Sequence, residues 1–139
     1  MSANEVNLNG ILKADADYLA KNQTVPQNDT ADGNGGSFEL ANTQASIEVI
    51  AEVGSVALGV GDTKVLTVKL QDSADNSSFA DLQTLYTITS SGGDTIAVGT
   101  ELGRFVLPAD TRRYVKAVIV STDASGTGKV NVFSTYVPR

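Results

Sequence analysis

Short segments in which apolar and polar residues alternate recur from residue 37 to the end of the 139-residue chain. In SIEVIAEV (46–53) the odd-numbered positions are all apolar, whereas the even-numbered positions carry a serine, two glutamates and Ile50. A period of two is typical of a β-strand that buries one of its faces. The pattern predicts strands in four further segments, which are VLTVKLQ (65–71), DLQTLYTITS (81–90), RRYVKAVIVS (112–121) and VNVFSTYV (130–137).

Clusters of Gly, Asp, Ser and Asn separate these segments and favour turns. They are GVGDTK (59–64), DSADNSS (72–78), SGGD (91–94) and TDASGTGK (122–129). The remaining segment, TIAVGTELGRFVLP (95–108), is interrupted by Gly99 and Gly103, where we expect a bend or a bulge. About seven such strands indicate an all-β fold, an antiparallel β-sandwich, because each sheet has one apolar face that a second sheet must cover.

The first 36 residues have a different composition. Their second half, KNQTVPQNDTADGNGG (21–36), is polar and rich in glycine towards its end, so we expect it to contribute little to a core. Before it, leucine or isoleucine at positions 8, 11, 12 and 19 fits one face of a helix, while Asn9-Gly10 equally fits a two-residue hairpin turn. The sequence leaves these alternatives open. We predict an N-terminal arm (1–36) followed by a β-sandwich domain (37–139).

The composition excludes several kinds of chemistry. The chain has no cysteine and no histidine, which removes disulfides, thiolate nucleophiles, cysteine-ligated zinc and the usual general base for a serine nucleophile. No pair of carboxylates stands out as a catalytic pair. We therefore expect no enzymatic activity and no cofactor.

The charge balance bears on possible partners. Sixteen acidic against ten basic side chains give a net charge of −6, which repels nucleic acid and anionic membranes. The N-terminal sequence lacks a secretory signal pattern, and no apolar run approaches the roughly 18 residues of a membrane span. We expect a protein that is made in a cytosol and binds neither nucleic acid nor a membrane.

The acidic corner DSADNSS raises the question of a metal site. It contains Asp72 and Asp75, and Asp81 follows shortly after. Closely spaced oxygen ligands suit calcium, but the same residue types cap turns through hydrogen bonds to the backbone. The ligand order of an EF-hand is absent. We predict a turn and no metal, with a calcium ion at Asp72 and Asp75 as the alternative.

Aromatic residues raise the alternative of carbohydrate binding. Phe79, Phe105 and Phe133 lie in strand contexts where burial is usual. The tyrosines at positions 86, 114 and 136 are candidates for the rim of a sugar site, because a flat ring covers the apolar face of a pyranose. Three scattered tyrosines favour that function only weakly.

Two long segments resemble a known family. LTVKLQDSADNSSFADL (66–82) and TELGRFVLPADTRRYVKAVIVSTDASGTGKVNVF (100–133) resemble the small cement, or decoration, proteins of tailed-bacteriophage capsids. The shared pattern is a strand ending in Leu-Gln-x-Ser, an acidic turn, Phe-x-Asp-Leu, an Arg-Tyr-Val strand and a Gly-Lys-Val-x-Val-Phe strand. The resemblance covers about residues 60–137, over half of the chain.

The resemblance implies a jelly-roll sandwich that binds the outside of an assembled shell, bridges neighbouring major capsid subunits and performs no catalysis. It also implies a symmetric homo-oligomer, a dimer or a trimer, on the capsid exterior of a virion assembled in the host cytoplasm. We expect the arm to contact the capsid or a neighbouring subunit through Ile11, Leu12, Tyr18 and Leu19. The alternatives are a carbohydrate- or receptor-binding sandwich module and a structural protein of a phage tail or neck.

Overall fold

The computed structural model describes residues 5–6, 12–13, 18–40 and 46–137, and it describes side chains for residues 18–40 and 47–135. The described residues form β-strands joined by turns and contain no helix, so none of them forms a helix that could cross a membrane. The strands are β1 (Glu5–Val6), β2 (Leu12–Lys13), β3 (Tyr18–Thr24), β4 (Asp29–Asp32), β5 (Phe38–Glu39), β6 (Ser46–Val53), β7 (Leu58–Val60), β8 (Val65–Ser73), β9 (Ala80–Thr89), β10 (Asp94–Ile96), β11 (Glu101–Val106), β12 (Tyr114–Ser121) and β13 (Lys129–Val137).

Two antiparallel sheets make up the body of the molecule. The β6 sheet has the order β11-β6-β13-β3, and the β8 sheet has the order β4-β12-β8-β9, with β5 also paired to β12. The chain crosses between the sheets several times, from β3 to β4 and from β11 through β12 to β13, whereas β8 and β9 form a hairpin within one sheet. Strand β3 therefore lies beside β13 and β4 beside β12, although they are far apart in sequence. This order is that of a jelly roll, the architecture that the family resemblance implies. The predicted all-β sandwich is confirmed.

The core lies between the two sheets and is built from the alternating residues that the sequence predicts. On β8 the residues at positions 66, 68 and 70 are buried while their neighbours are only half-buried, as expected for a strand with one covered face. Burying a Leu, Val or Ile side chain contributes about 1.5–3 kcal/mol each. The central members of the core are Val49, Ala51, Val53, Leu66, Val68, Leu70, Val115, Ala117, Ile119, Val130 and Val132.

Local sequence signals also predict the irregular positions of the fold. Gly99 has a φ of +83°, in a turn between β10 and β11, where the sequence predicts a bend. The register of β11 against β6 shifts between Glu101 and Gly103, which is the predicted bulge. In the arm, β1 and β2 pair antiparallel with Val6 opposite Leu12, as strands and not as a helix. A two-residue turn at Asn9-Gly10 would instead place Val6 opposite Lys13, so the register differs from the one that this turn predicts. The turn between them lies outside the described residues.

The predicted boundary after residue 36 is wrong. Strand β3 is an integral member of the β6 sheet, and its residues Leu19 and Ala20 are 1% and 0% exposed in the core. The polar tract supplies β4, which pairs with the C-terminal half of β12 as an edge strand of the β8 sheet. The composition misleads here because an edge strand buries little of its own side-chain surface. The sandwich therefore begins at or before Tyr18.

Two glycines of the polar tract join the sheets at this edge. The Gly33 amide donates to the Ala117 carbonyl in the β8 sheet (2.9 Å), and the Gly35 amide donates to the Leu19 carbonyl in the β6 sheet (3.0 Å). Between them the Asn34 side chain accepts from the Lys21 amide (2.8 Å) and donates to the Lys21 carbonyl (2.9 Å), as a neighbouring strand would. Residues 33–35 thus close one side of the sandwich and occupy backbone groups of β3.

Truncation tests where the folded body begins. A chain that starts at residue 17 retains every strand of the two sheets, and we expect it to unfold cooperatively with a far-ultraviolet β spectrum. A chain that starts at residue 37 lacks β3 and β4 and exposes the core beside β13 and β12, so we expect it to be unfolded or aggregated. Circular dichroism and urea denaturation of both chains provide the measurement. A cooperatively folded chain from residue 37 would restore the boundary predicted from the sequence.

Replacing the two bridging glycines tests how closely the sheets approach. A Cβ at Gly33 would lie 2.1 Å from the Leu19 carbonyl oxygen, and one at Gly35 would lie 2.0 Å from the Tyr18 carbonyl oxygen. Because these are backbone atoms of a paired strand, we expect Gly33→Ala and Gly35→Ala each to lower the free energy of unfolding by about 2 kcal/mol or more. Gly126→Ala is the matched control, because its nearest neighbour would be 3.5 Å away. Urea denaturation should show little change for the control.

Candidate interaction surfaces

The acidic corner between β8 and β9 is held by hydrogen bonds to its own backbone. One carboxylate oxygen of Asp75 accepts from the Ser77 amide (3.0 Å), the Ser78 amide (2.9 Å) and the Ser73 hydroxyl (2.8 Å). These bonds, that from the Ser78 amide foremost, hold the pKa of Asp75 below its usual value. Asp75 therefore caps the turn, as the sequence predicts.

Asp72 joins this corner to the loop before β12. It is 7% exposed, and its carboxylate accepts from the Arg112 amide (3.0 Å), from Nε (3.1 Å) and from Nη2 (2.8 Å) of the same residue. Burial raises the pKa of Asp72, but the hydrogen bonds and the charge of Arg112 outweigh it and the pKa lies below the usual value. Both guanidinium bonds end on Oδ1, while Oδ2 accepts from the Arg112 amide, so the carboxylate is held by charge-assisted hydrogen bonds at both oxygens. It locks two loops that are 40 residues apart in sequence.

The carboxylates of the corner are thus engaged within the protein. Asp81 accepts from Gln71 Nε2 (2.8 Å) and lies 3.1 Å from Lys69 Nζ, and these contacts lower its pKa. Within the described ranges no group of three or more acidic side chains converges as metal ligands would. The oxygens proposed as calcium ligands at Asp72 and Asp75 instead bond to an arginine and to the turn.

The two described lysines of the central strands on the outer face of the β8 sheet are each paired with an aspartate. Lys69 on β8 pairs with Asp81 (3.1 Å), and Lys116 on β12 pairs with Asp32 (3.1 Å). The Lys116 ammonium also lies 4.4 Å from the centre of the Phe79 ring. Val118 lies between Lys69 and Asp32 in register and is buried.

The outer face of the β6 sheet is different. Ile50 on β6 lies directly opposite Phe133 on β13, and Phe133 lies opposite Tyr18 on β3. The rings of Tyr18 and Phe133 are 5.5 Å apart. We call Tyr18, Phe133 and Ile50 the outer apolar row. Polar side chains flank it, including Glu48, which accepts from Arg104 Nη1 (3.1 Å).

Two of the four residues predicted to contact a capsid, Tyr18 and Leu19, have described side chains. Leu19 is 1% exposed and fills the core of the chain itself, so it is not available to a partner. Tyr18, its neighbour, points to the opposite face and belongs to the outer apolar row. Leu12 lies in β2, where the structure describes the backbone only, and Ile11 lies outside the described residues. The contact predicted for Ile11 and Leu12 remains a prediction.

The aromatic residues form no exposed platform within the described part of the chain. Phe105 packs against the core as predicted, whereas Phe133 is buried on the outer face of its sheet. Tyr86 also packs against the core, and burial raises its pKa. Tyr114 is half-buried with the Arg113 guanidinium 5.6 Å from its ring centre, and the side chain of Tyr136 lies outside the description. This arrangement gives no support to the sugar-binding alternative.

Sequence reasoning missed the outer apolar row, although one signal for it was present. Strand β6 alternates as predicted, and Ile50 shares the solvent-directed face with Glu48 and Glu52. An isoleucine on that face has no place in a simple alternating pattern. Its partners come from β13 and β3, more than thirty residues away on either side, so only the sheet order shows that the three apolar side chains form a row.

Comparisons with known proteins give little further information. No protein-family model and no curated protein matches this chain. Among solved structures, it has a weak structural similarity to a chain in the crystal structure of the T13 IBDV viral particle, with a TM-score of 0.41 and 14% sequence identity. The match covers 86% of this chain and only 29% of that chain.

The Asp72–Arg112 pair predicts how stability depends on pH. Because the folded-state pKa of Asp72 is lower than its unfolded value of about 3.9, the pair stabilises the fold above about pH 4 and loses that effect as the pH falls. We expect Arg112→Gln to lower the free energy of unfolding at pH 7 by about 1–2 kcal/mol, a value reduced because the arginine is 41% exposed. The decline in stability below pH 4 should be shallower in this variant than in the wild type.

Arg113→Gln is the control for this prediction. Arg113 pairs with Glu39, but both side chains are about half exposed or more, at 63% and 47%. Urea denaturation from pH 7 to pH 2.5 should therefore show little change for this variant. Equal losses in the two variants would mean that Asp72 does not lock the corner.

Proposed function

We propose that this chain is a capsid decoration protein of the cement type found on tailed bacteriophages. It binds the outside of an assembled shell and bridges neighbouring major capsid subunits. The proposal rests on the sequence resemblance over residues 60–137 together with the contact between Asp72 and Arg112. Those two residues come from the two separate segments that carry the resemblance, and they meet in one partly buried ion pair.

This contact joins the two segments that carry the resemblance. Asp72 stands at the open position of Leu-Gln-x-Ser at the end of β8, and Arg112 directly precedes the Arg-Tyr-Val strand. The ion pair therefore fixes a corner of the sandwich between the two segments. Rigid corners and loops suit a protein that works by shape, because less conformational entropy is lost when it docks.

The edges of the sandwich favour docking through faces and loops over strand addition. Strand β4 is only four residues long, and Asn34 and Gly35 occupy backbone groups of β3. Strand β9 is irregular, with register shifts next to Leu82 and Leu85. Short, bulged and covered edges are the usual ways in which sheets avoid pairing with other chains.

The proposed mechanism is adhesion, without catalysis or a cofactor. Each copy holds the shell through contacts that are individually weak. A symmetric dimer or trimer gains affinity because the second and third contacts form at high effective concentration on a repeating lattice. The bridged subunits then separate only if several contacts break together, so the shell resists heat.

Shell binding is the decisive test. When virus particles from the lysate of cells that make the chain are separated on a density gradient, the chain should be found in the band that contains the capsids. Purified chain added to shells that lack it should bind saturably, in a fixed ratio to the major capsid protein, and should raise the temperature at which the shells open. Shells that already carry the chain are the control and should take up no more. Recovery of the chain only with tails or free protein would contradict the proposal.

The alternatives give different results in the same material. A structural protein of the tail or neck would sediment with those parts and would not follow the major capsid protein. A carbohydrate-binding module would give specific hits on a glycan array, where a decoration protein should give none. The described aromatic side chains are all half-buried or buried, which favours the decoration protein over the sugar-binding module.

A further inference from the structure

Residues 33–35, which we call the closing segment, contain an Asn-Gly step, and the fold uses both residue types. Asn34 pairs with Lys21 through an acceptor and a donor at once, and a short amide side chain offers both on separate atoms. A Cβ at position 35 would lie 2.0 Å from the Tyr18 carbonyl oxygen, so glycine is required there. The closure of the sandwich beside β3 thus favours this dipeptide.

Asparagine is a chemically labile residue, and it deamidates most readily when glycine follows it. The backbone nitrogen of the glycine loses its proton and bonds to the asparagine Cγ. The Cγ–Nδ2 bond breaks, and the leaving nitrogen takes up a proton and departs as ammonia. Water then opens the five-membered succinimide at either of its two carbonyls, which gives aspartate or isoaspartate. The net reaction consumes one water and releases one ammonia, and it needs no oxidant, reductant or enzyme.

In the folded chain both reacting groups of this step are engaged with β3. The Gly35 amide donates to the Leu19 carbonyl (3.0 Å). The Asn34 carboxamide accepts from the Lys21 amide (2.8 Å) and donates to the Lys21 carbonyl (2.9 Å). Cyclisation requires the nitrogen to give up its proton and the carboxamide to turn back onto that nitrogen, so these bonds must first break. Asn34 and Gly35 are exposed, so water and base reach them once that happens.

Conversion of Asn34 removes one of these bonds permanently. The carboxylate of aspartate has no N–H, so the Lys21 carbonyl loses its donor and faces a negatively charged oxygen instead. Isoaspartate also carries the backbone through its side-chain carbons. This lengthens the path between the bonds made by the Gly33 and Gly35 amides by one methylene, although those bonds are directed to two different sheets. Either product therefore weakens the closure beside β3.

We propose that Asn34 is a site of spontaneous deamidation that the closed edge restrains, and that its conversion to aspartate or isoaspartate releases β3 from the closing segment. The substrate is the chain itself, and water is the only co-reactant. Because the reaction cannot be reversed by refolding, an edge that has opened for long enough stays weakened. The inference does not depend on the proposed function, because it concerns the isolated protein.

Peptide mapping by mass spectrometry tests the reaction. The full chain and a free peptide with the sequence of residues 29–38 are incubated in mildly alkaline buffer, and the replacement of NH2 by OH at Asn34 is followed over time. A tryptic digest of the unfolded chain places Asn34 in residues 22–64 and the other Asn-Gly step, Asn9-Gly10, in residues 1–13, so the two are measured separately.

We expect Asn34 to react at least about tenfold more slowly in the folded chain than in the peptide, because the reaction waits for the edge to open. Urea below the unfolding transition should raise the rate in the chain, with the peptide in the same urea as the control. Equal rates in the folded chain and the peptide would overturn the proposal. An Asn34 that reacts only above the unfolding transition would overturn it as well, because global unfolding alone would then expose the step.

Limited proteolysis of Asn34→Asp tests what the conversion does to the edge. Trypsin cleaves after Lys21 at the carbonyl to which Asn34 donates, whereas cleavage after Lys116 in the central strand β12 reports on the body. We expect Asn34→Asp to speed cleavage after Lys21 about tenfold, with little change after Lys116. Asn28→Asp is the matched control, because it adds the same charge at an exposed residue of the same tract, and it should leave both rates near the wild-type values.

Aged wild-type chain provides a second measurement that needs no variant. Molecules that trypsin cuts first after Lys21 should be enriched in converted Asn34 relative to the uncut molecules. No enrichment, or an unchanged rate after Lys21 in Asn34→Asp, would show that the conversion does not release β3. Equal acceleration after Lys21 and Lys116 would also overturn the proposal, because the whole body would then unfold together.

Discussion

Strand β13 lies between β6 and β3, and β12 lies between β8 and β4, so that late strands are bonded on both sides by strands from earlier in the chain. The rest of the structure depends on these two pairings. Without β3 and β4, the buried faces of β13 and β12 would end at open edges, and the core residues Val130, Val132 and Ile119 would meet water. The polar tract before residue 37 is therefore part of the closure, and its glycines allow the sheets to approach closely enough to share hydrogen bonds.

Several aspartates accept hydrogen bonds from backbone amides at the turns of the sandwich. Asp75 caps a turn, Asp72 ties that turn to the start of β12, and Asp123 accepts from the amides of Gly61 (2.8 Å) and Ser125 (2.8 Å) at another turn. Their pKa values are lowered because the charged form receives these bonds. A sequence rich in Asp, Asn and Ser can thus suggest metal sites, although these carboxylate oxygens already accept hydrogen bonds that stabilise the turns.

The two outer faces both carry apolar residues beside charged side chains. On the β8 sheet, Val118 lies between Lys69 and Asp32 in register, and each of these charged residues belongs to an ion pair. On the β6 sheet, Ile50 lies between Arg104 and Phe133, and the Arg104 guanidinium donates to Glu48. Long charged side chains can pack their aliphatic stems against such residues while their charged ends stay in water.

The sequence by itself determined the long strands after residue 45, their buried faces, most of the turns between them and the exclusion of histidine- or cysteine-based chemistry, because alternation and turn preference are local properties. It did not predict the short strand β7, which overlaps the start of a segment predicted as a turn. The bulge at Gly103 and the strand at 46–53 could be predicted from these local properties alone. Only the tertiary structure decided that residues 18–36 belong to the body, that Leu19 lies inside while Tyr18 lies outside, and that Ile50 joins Phe133 and Tyr18. These facts depend on pairings between residues that are distant in sequence. The local sequence of an edge strand, or of one strand that contributes to a row across three strands, contains almost no information about which strands lie beside it.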